Sequence, residues 1–203
     1  MTTIPQQIPA DLRNEIHRLI EDECINSTSP GSDVIDSLID KGRFIRLRRG
    51  EALVREGHYN PNFYLLIDGV MRKWHWNGQN EVTSCFATAG TQTLVHHCYY
   101  AGVPSIDTIE ACCDCLLMTV SKDDYDHLLR TSHAFALYNF EMAACDLYFS
   151  EKKRVIYTGS AMERYKAMLK NRKEIVQKVP QRILASYLGI TPQYLSVIRR
   201  KLR

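Results

Sequence analysis

The sequence contains no apolar run that approaches the roughly 20 residues of a membrane span, so no membrane partner is expected. Met1 to Ala10 shows neither a basic stretch nor an apolar one, so it does not resemble an export signal. Seven cysteines make an odd count with no disulfide framework, and reduced thiols in a cytoplasm are the expectation. There is no internal repeat and no low-complexity tract. P-loop, dinucleotide fingerprint, Gly-x-Ser-x-Gly and His-Glu-x-x-His are all missing, so no catalytic residue is assigned and an enzyme is not expected. What remains is 203 residues with 45% apolar and 24% charged side chains. That balance excludes disorder, collagen or coiled coil as the whole answer, and the length suits one large domain or two small ones.

The charge is unevenly spread. Residues 151–203 hold 14 Lys and Arg against 3 Asp and Glu, or +11, while residues 1–150 hold 12 against 20, or −8. A basic tail on an acidic body favours a polyanion, most often nucleic acid. The opposite gap is as informative. From Trp74 to Ser121 there are 48 residues without a lysine or arginine, and His75, His96 and His97 are the only candidate cations there.

Periodicity changes along the chain. Asp11 to Cys24 predicts an amphipathic helix with Leu12, Ile16, Leu19 and Ile20 on one face. Ile25 to Ser32, with Pro30-Gly31, predicts a loop. Ser32 is placed to N-cap a short helix, Val34 to Lys41, that Gly42 stops. Short β-rich runs then alternate with turn residues: Phe44–Arg48, Leu53–Arg55, Phe63–Ile67, Val70–Trp76, Val82–Ala87, Thr108–Ala111 and Leu116–Val120, the pattern of a roll or barrel. Asp123 to Leu129 predicts a short helix, its acidic residues suiting the N-terminal dipole. His133 to Tyr157 predicts a long one. Its Phe135, Tyr138, Met142, Cys145, Phe149 and Ile156 follow heptad steps, interrupted at Lys152, which is the seam of a helix paired with its twin. Packing on the chain's own body is the alternative. Thr158-Gly159 breaks the helix, and Ser160 with Glu163 forms a capping box for the next one.

Gln181 to Leu202, QRILASYLGITPQYLSVIRRKL, is the strongest local signal. Two helices around a turn account for each key residue. Ala185 is small where the helices meet, and Gly189 supplies the turn. Leu184, Leu188, Ile190, Leu195 and Ile198 face inward. Thr191 caps the second helix, Pro192 suits its first position, and Pro180 opens the first helix in the same way. This is a helix-turn-helix, whose second helix enters the major groove of double-stranded DNA. The candidate DNA-binding residues are Thr191, Gln193, Tyr194, Ser196, Arg199, Arg200 and Lys201. Gln193 suits an adenine edge, and the others suit phosphates. Val197 stands on the same outward face.

In this order, the elements resemble the cyclic-AMP receptor/FNR (Crp/Fnr) family of bacterial transcription regulators, in a short, wing-poor form. The resemblance rests on Arg48 to Trp74, with Gly50, Gly57 and Gly69 at the turns, on Pro104 to Leu129, and on Ile183 to Thr191 followed by LSVIRRKL. It implies an α+β chain: a cyclic-nucleotide-binding-like jelly roll flanked by helices, a long dimerisation helix and a C-terminal helix-turn-helix. The expected divisions are 1–131 for the sensor, 132–159 for the dimer helix and hinge, and 160–203 for the DNA-binding domain. It also implies a homodimer on a two-fold operator, with RNA polymerase as a further candidate partner. Tyr138 and Met142 lie where the family's dimer helix faces the effector. With Thr93 and Ser105 they are the candidate pocket wall.

The cyclic-nucleotide cassette departs from the family. Gly90 to Leu94 lacks Gly-Glu, and Pro104-Ser105 places proline where the phosphate-pairing arginine is expected. Losing a bidentate, charge-assisted partner disfavours tight cyclic AMP binding, so no cofactor is assigned. A cyclic-nucleotide-responsive regulator, a cysteine-based redox or metal sensor and a scaffold that binds no DNA are the alternatives. Cys112, Cys113 and Cys115, with Cys98, His96 and His97, lack the paired spacing of a zinc site, so no metal is assigned and burial is the expectation. Trp74 and Trp76 share a strand face with Arg72, for packing rather than for a pocket.

Overall fold

Phe63 to Ile67 are five consecutive buried residues. A strand that buries successive residues must be covered on both faces, and the architecture follows from that. The computed structural model describes residues 2–4, 8–22, 30–156 and 159–202. The predicted helix end at Cys24, most of the predicted loop and Thr158 lie outside them, as do the side chains of Thr93, Phe149, Lys152 and Ile156.

In chain order the described elements are β1 (Thr2–Ile4), α1 (Ala10–Asp22), α2 (Ser32–Asp40), β2 (Arg43–Leu47), β3 (Ala52–Val54), β4 (Phe63–Asp68), β5 (Met71–Trp76), β6 (Glu81–Ala87), β7 (Gln92–Leu94), α3 (His96–Ala101), β8 (Thr108–Ala111), β9 (Cys115–Val120), α4 (Lys122–Thr131), α5 (His133–Ile156), α6 (Ala161–Asn171), α7 (Lys173–Lys178), α8 (Gln181–Tyr187) and α9 (Pro192–Lys201). The strands form two antiparallel sheets, ordered β1-β2-β9-β4-β7 and β3-β8-β5-β6. Leu47, Tyr64, Leu66 and Leu117 of the first sheet meet Leu53, Met71, Ile109 and Ala111 of the second between them.

The outer faces are covered by helices. Phe44, Phe63, Leu65, Met118 and Val120 of the first sheet pack on Ile16, Ile20, Ile35, Ile39, Tyr125, Phe135 and Tyr138 from α1, α2, α4 and α5. On the other side, Val70, Phe86 and Cys112 share a core with Tyr165, Met168, Ile175, Ile183, Leu184, Leu195 and Ile198 of α6 to α9. The order is thus helices, sheet, sheet, helices.

Local chemistry sets the ends of the elements. Ser121 caps α4 by accepting from the Asp124 N–H, and Asp123 and Asp124 occupy its first turn. Ser160 and Glu163 form the expected capping box on α6. One expectation is corrected. Gly31, not Ser32, stands at the N-cap of α2, and no side chain caps it. Gly42 follows the end of α2 as expected, its N–H donating to the Ile39 carbonyl at 2.9 Å, and it is also small because a Cβ there would lie 2.8 Å from the Met118 side chain. Among the described residues no helix is long and apolar enough to cross a membrane.

Candidate nucleic-acid interface

The turn between α8 and α9 is built from backbone hydrogen bonds. The Ile190 N–H donates to the Ala185 carbonyl and the Gly189 N–H to the Ser186 carbonyl, each at 3.0 Å. This doubly bonded stop needs a left-handed residue, and Gly189 has φ +63°. Arg164 of α6 donates to the Leu188 carbonyl at 2.8 Å, placing a cation at the same C-terminus. Thr191 Oγ1 then accepts the Tyr194 N–H at 3.1 Å, and Pro192 opens α9. Leu195 and Ile198 are buried against Leu184, Ala185 and Leu188. Burying each is worth about 1.5–3 kcal/mol.

That packing decides which side of α9 is free. Thr191, Gln193, Tyr194, Ser196, Arg200 and Lys201 are exposed, and Val197 and Arg199 are half-buried. Three of the predicted DNA-binding side chains have internal partners, Thr191 through the cap just described and two others. The Ser196 hydroxyl donates to the Pro192 carbonyl at 3.1 Å, and Gln181 Nε2 bridges that same carbonyl at 2.7 Å and Ser196 Oγ at 2.5 Å. Arg199 Nε donates to the Tyr165 hydroxyl of α6 at 3.0 Å. Gln193, Tyr194, Arg200 and Lys201 remain as the open polar set.

Of the predicted effector-pocket residues, Tyr138 and Met142 share one core and Ser105 lies outside it. Tyr138 lies wholly buried in the helical layer outside the first sheet, with Met142 packed beside that core. Ser105 sits in the loop before β8, its hydroxyl donating to the Asp107 carbonyl at 2.7 Å. Thr93 pairs through its backbone with Tyr64. Lys73 falls just outside the cation-free run. It pairs across the sheet with Ile109 and Cys85. Ile109 belongs to the core between the sheets, which puts Lys73 on the inner face of β5. Its ammonium is 3.3 Å from Asp107, and His75 is 3.5 Å from the same carboxylate. The α3 helix, in the cassette region, escaped the sequence reading. Its six residues have no side-chain cap, and the left-handed Gly102 at its end was the available sign.

The predicted dimer seam divides. Phe135 and Tyr138 are buried in their own chain's core, so they offer no surface to a second helix. These two pack on the chain's own body: both belong to the core outside the first sheet, and the Tyr125 ring lies 5.1 Å from that of Phe135. Met142 and Cys145 are half-buried. The exposed apolar residues of α5 are instead Leu137, Phe140, Leu147 and Tyr148.

Among the described residues no His, Cys, Asp and Glu group is arranged to hold a metal. Cys98, Cys112 and Cys115 are buried, and burial pushes the Cys112 and Cys115 thiols up to about 12, the range of unreactive thiols. Trp74 packs under Arg72 and donates to Glu110 at 3.3 Å, while Trp76 is exposed. Arg72, itself buried, bonds Glu81 at 2.7 Å and Glu110 at 3.1 Å on the outer face of the second sheet.

No family model and no curated protein matches the chain. Solved structures do. FixK2 from Bradyrhizobium japonicum is 17% identical with a TM-score of 0.68, over 79% of this chain and 84% of that one. CLP of Xanthomonas campestris, described as a c-di-GMP responsive global regulator, is 13% identical with a TM-score of 0.65, over 85% and 91%. The catabolite activator protein of Thermus thermophilus is 16% identical with a TM-score of 0.53, over 85% and 83%. Identities this low speak to the fold, and the chain has the fold of the Crp/Fnr regulators.

Proposed function

We propose that the chain is a DNA-binding transcription regulator of the Crp/Fnr type. It acts as a homodimer on a two-fold operator, with a roll that does not take cyclic AMP tightly. One observation carries the reading: a capped helix, α9, presents Gln193, Tyr194, Arg200 and Lys201 to solvent beyond a glycine turn. Residues 1–131 serve as sensor, 132–159 as dimer helix and hinge, and 160–203 as the DNA-binding unit. The half-sites stand about 34 Å apart, one helical turn of DNA.

The exposed stripe of α5 supports pairing through Leu137, Phe140 and Leu147, which with Ala144 follow steps of three and four. Phe140→Glu is expected to yield monomers in sedimentation, and an unchanged dimer would remove this seam. The missing cassette arginine and the Lys73–Asp107 pair leave no free cation for a cyclic phosphate among the described residues of that region. Titration calorimetry with cyclic AMP is expected to show no micromolar binding.

The function itself is tested by selecting duplexes from a random library and titrating the best one against salt. Steep loss of affinity with salt supports the reading, because bound phosphates release counterions. Absent or salt-independent binding overturns it in favour of a scaffold.

A further inference from the structure

Strand β6 is an edge of its sheet, flanked by β5 on one side only. An open edge exposes backbone donors and acceptors that need partners. Here the missing neighbour is replaced by side chains of the C-terminal helices. Ser186 Oγ of α8 accepts the Thr83 N–H at 3.0 Å and donates to the Glu81 carbonyl at 2.7 Å. One hydroxyl thus makes the donor–acceptor exchange that a strand residue would make. Arg172 adds a bond to the Phe86 carbonyl at 3.4 Å, and the Tyr187 ring lies 4.9 Å from that of Phe86. Lys178 approaches Asp68 at 3.6 Å.

The contact joins two functional parts. Glu81 is bonded through its carbonyl to Ser186 and through its side chain to Arg72, which also holds Glu110. Ser186 lies on the helix whose C-terminal turn launches α9. We propose that Ser186 is a positioning residue for DNA recognition: it docks the first helix of the pair on the roll's edge strand, so that the roll sets the direction of α9. In a dimer that direction fixes how far apart the two recognition helices stand. The inference rests on the DNA-binding reading above.

The test uses the full chain and an operator selected from a random duplex library. Ser186→Ala removes the hydroxyl without touching any α9 side chain. The wild type is expected to bind the selected operator more tightly than one with two extra base pairs between the half-sites. In Ser186→Ala that spacing preference is expected to fall at least threefold, while discrimination against a single base change within a half-site stays within twofold. Ser186→Thr, which keeps the hydroxyl, is expected to restore it. Should Ser186→Ala not fold, Arg172→Gln removes the second bond to the edge and is expected to give the same loss. Amide exchange at Thr83 reports the docking separately and is expected to rise at least tenfold in Ser186→Ala. Faster exchange with an unchanged spacing preference makes Ser186 merely structural and overturns the proposal. Unchanged exchange overturns the contact itself. If the wild type selects no duplex at all, the DNA reading fails, and this role for Ser186 with it.

Discussion

Arg199 lies against Tyr165, its guanidinium carbon 5.7 Å from the ring centroid and its Nε bonded to the phenol oxygen. This arginine works for the fold, whereas its neighbour Arg200 is exposed. Arg199→Ala is expected to lower stability by about 1 kcal/mol, the worth of one hydrogen bond and a cation–π contact, in a denaturant melt. Arg200→Ala is expected to leave the melt unchanged, weaken binding to all duplexes alike and reduce the salt slope by about 1. Equal salt slopes for the two variants would refute this division of labour.

Gln193 stands exposed in the first turn of α9 with no internal partner among the described residues. Its amide can bond two atoms of one base edge. Gln193→Ala is expected to cost about 1–3 kcal/mol of discrimination at one base pair per half-site and little elsewhere. Competition binding with all single-base variants of a half-site measures it. A uniform loss across positions would assign Gln193 to phosphate instead.

Arg72 is the one large cation buried among the described residues, and two carboxylates depend on it. Arg72→Met leaves Glu81 and Glu110 facing each other without a counter-ion. The expected cost is about 2–3 kcal/mol, below the full figure for a buried pair because Glu81 is partly exposed. Adding Glu110→Gln should recover part of it, and a double-mutant cycle reads the coupling.

The Asp124 carboxyl is held below the usual carboxylate range by hydrogen bonds from Lys41 and Ser121. A depressed folded pKa stabilises the fold above the ordinary value, near 4, and the benefit is lost as pH falls through the folded value. Lys41→Met should therefore be less stable than the wild type at pH 7, by under about 1 kcal/mol since both partners are partly exposed. The gap should narrow below about pH 4. Urea melts at pH 7 and pH 3 show it, and a gap that widens in acid contradicts the assignment.

Much of this architecture was legible because it is written in periodicity and end chemistry. The β-rich runs match β2 to β6, β8 and β9 within a residue or two, and Ser160–Glu163 and Thr191 are capped as their spacing predicts. The missed pieces are short: β1, β7, α3 and α7 span three to six residues each, too few for a period to declare itself. Two residues of the expected seam were ambiguous for a different reason. Phe135 and Tyr138 satisfy heptad spacing equally well toward a twin helix or toward the chain's own sheet, and only the fold shows which side Tyr125 occupies. Ser186 left no sign at all, since a serine beside Ala185 in a helix looks like any solvated residue. Its meaning comes from a strand about one hundred residues away in sequence.

Val70, Phe86 and Cys112 belong by topology to the roll and by packing to the C-terminal helices. A core shared in this way couples the two regions, because melting either uncovers apolar surface of the other. The roll and the C-terminal helices are therefore linked in stability as well as in position, and what steadies the roll also steadies α9.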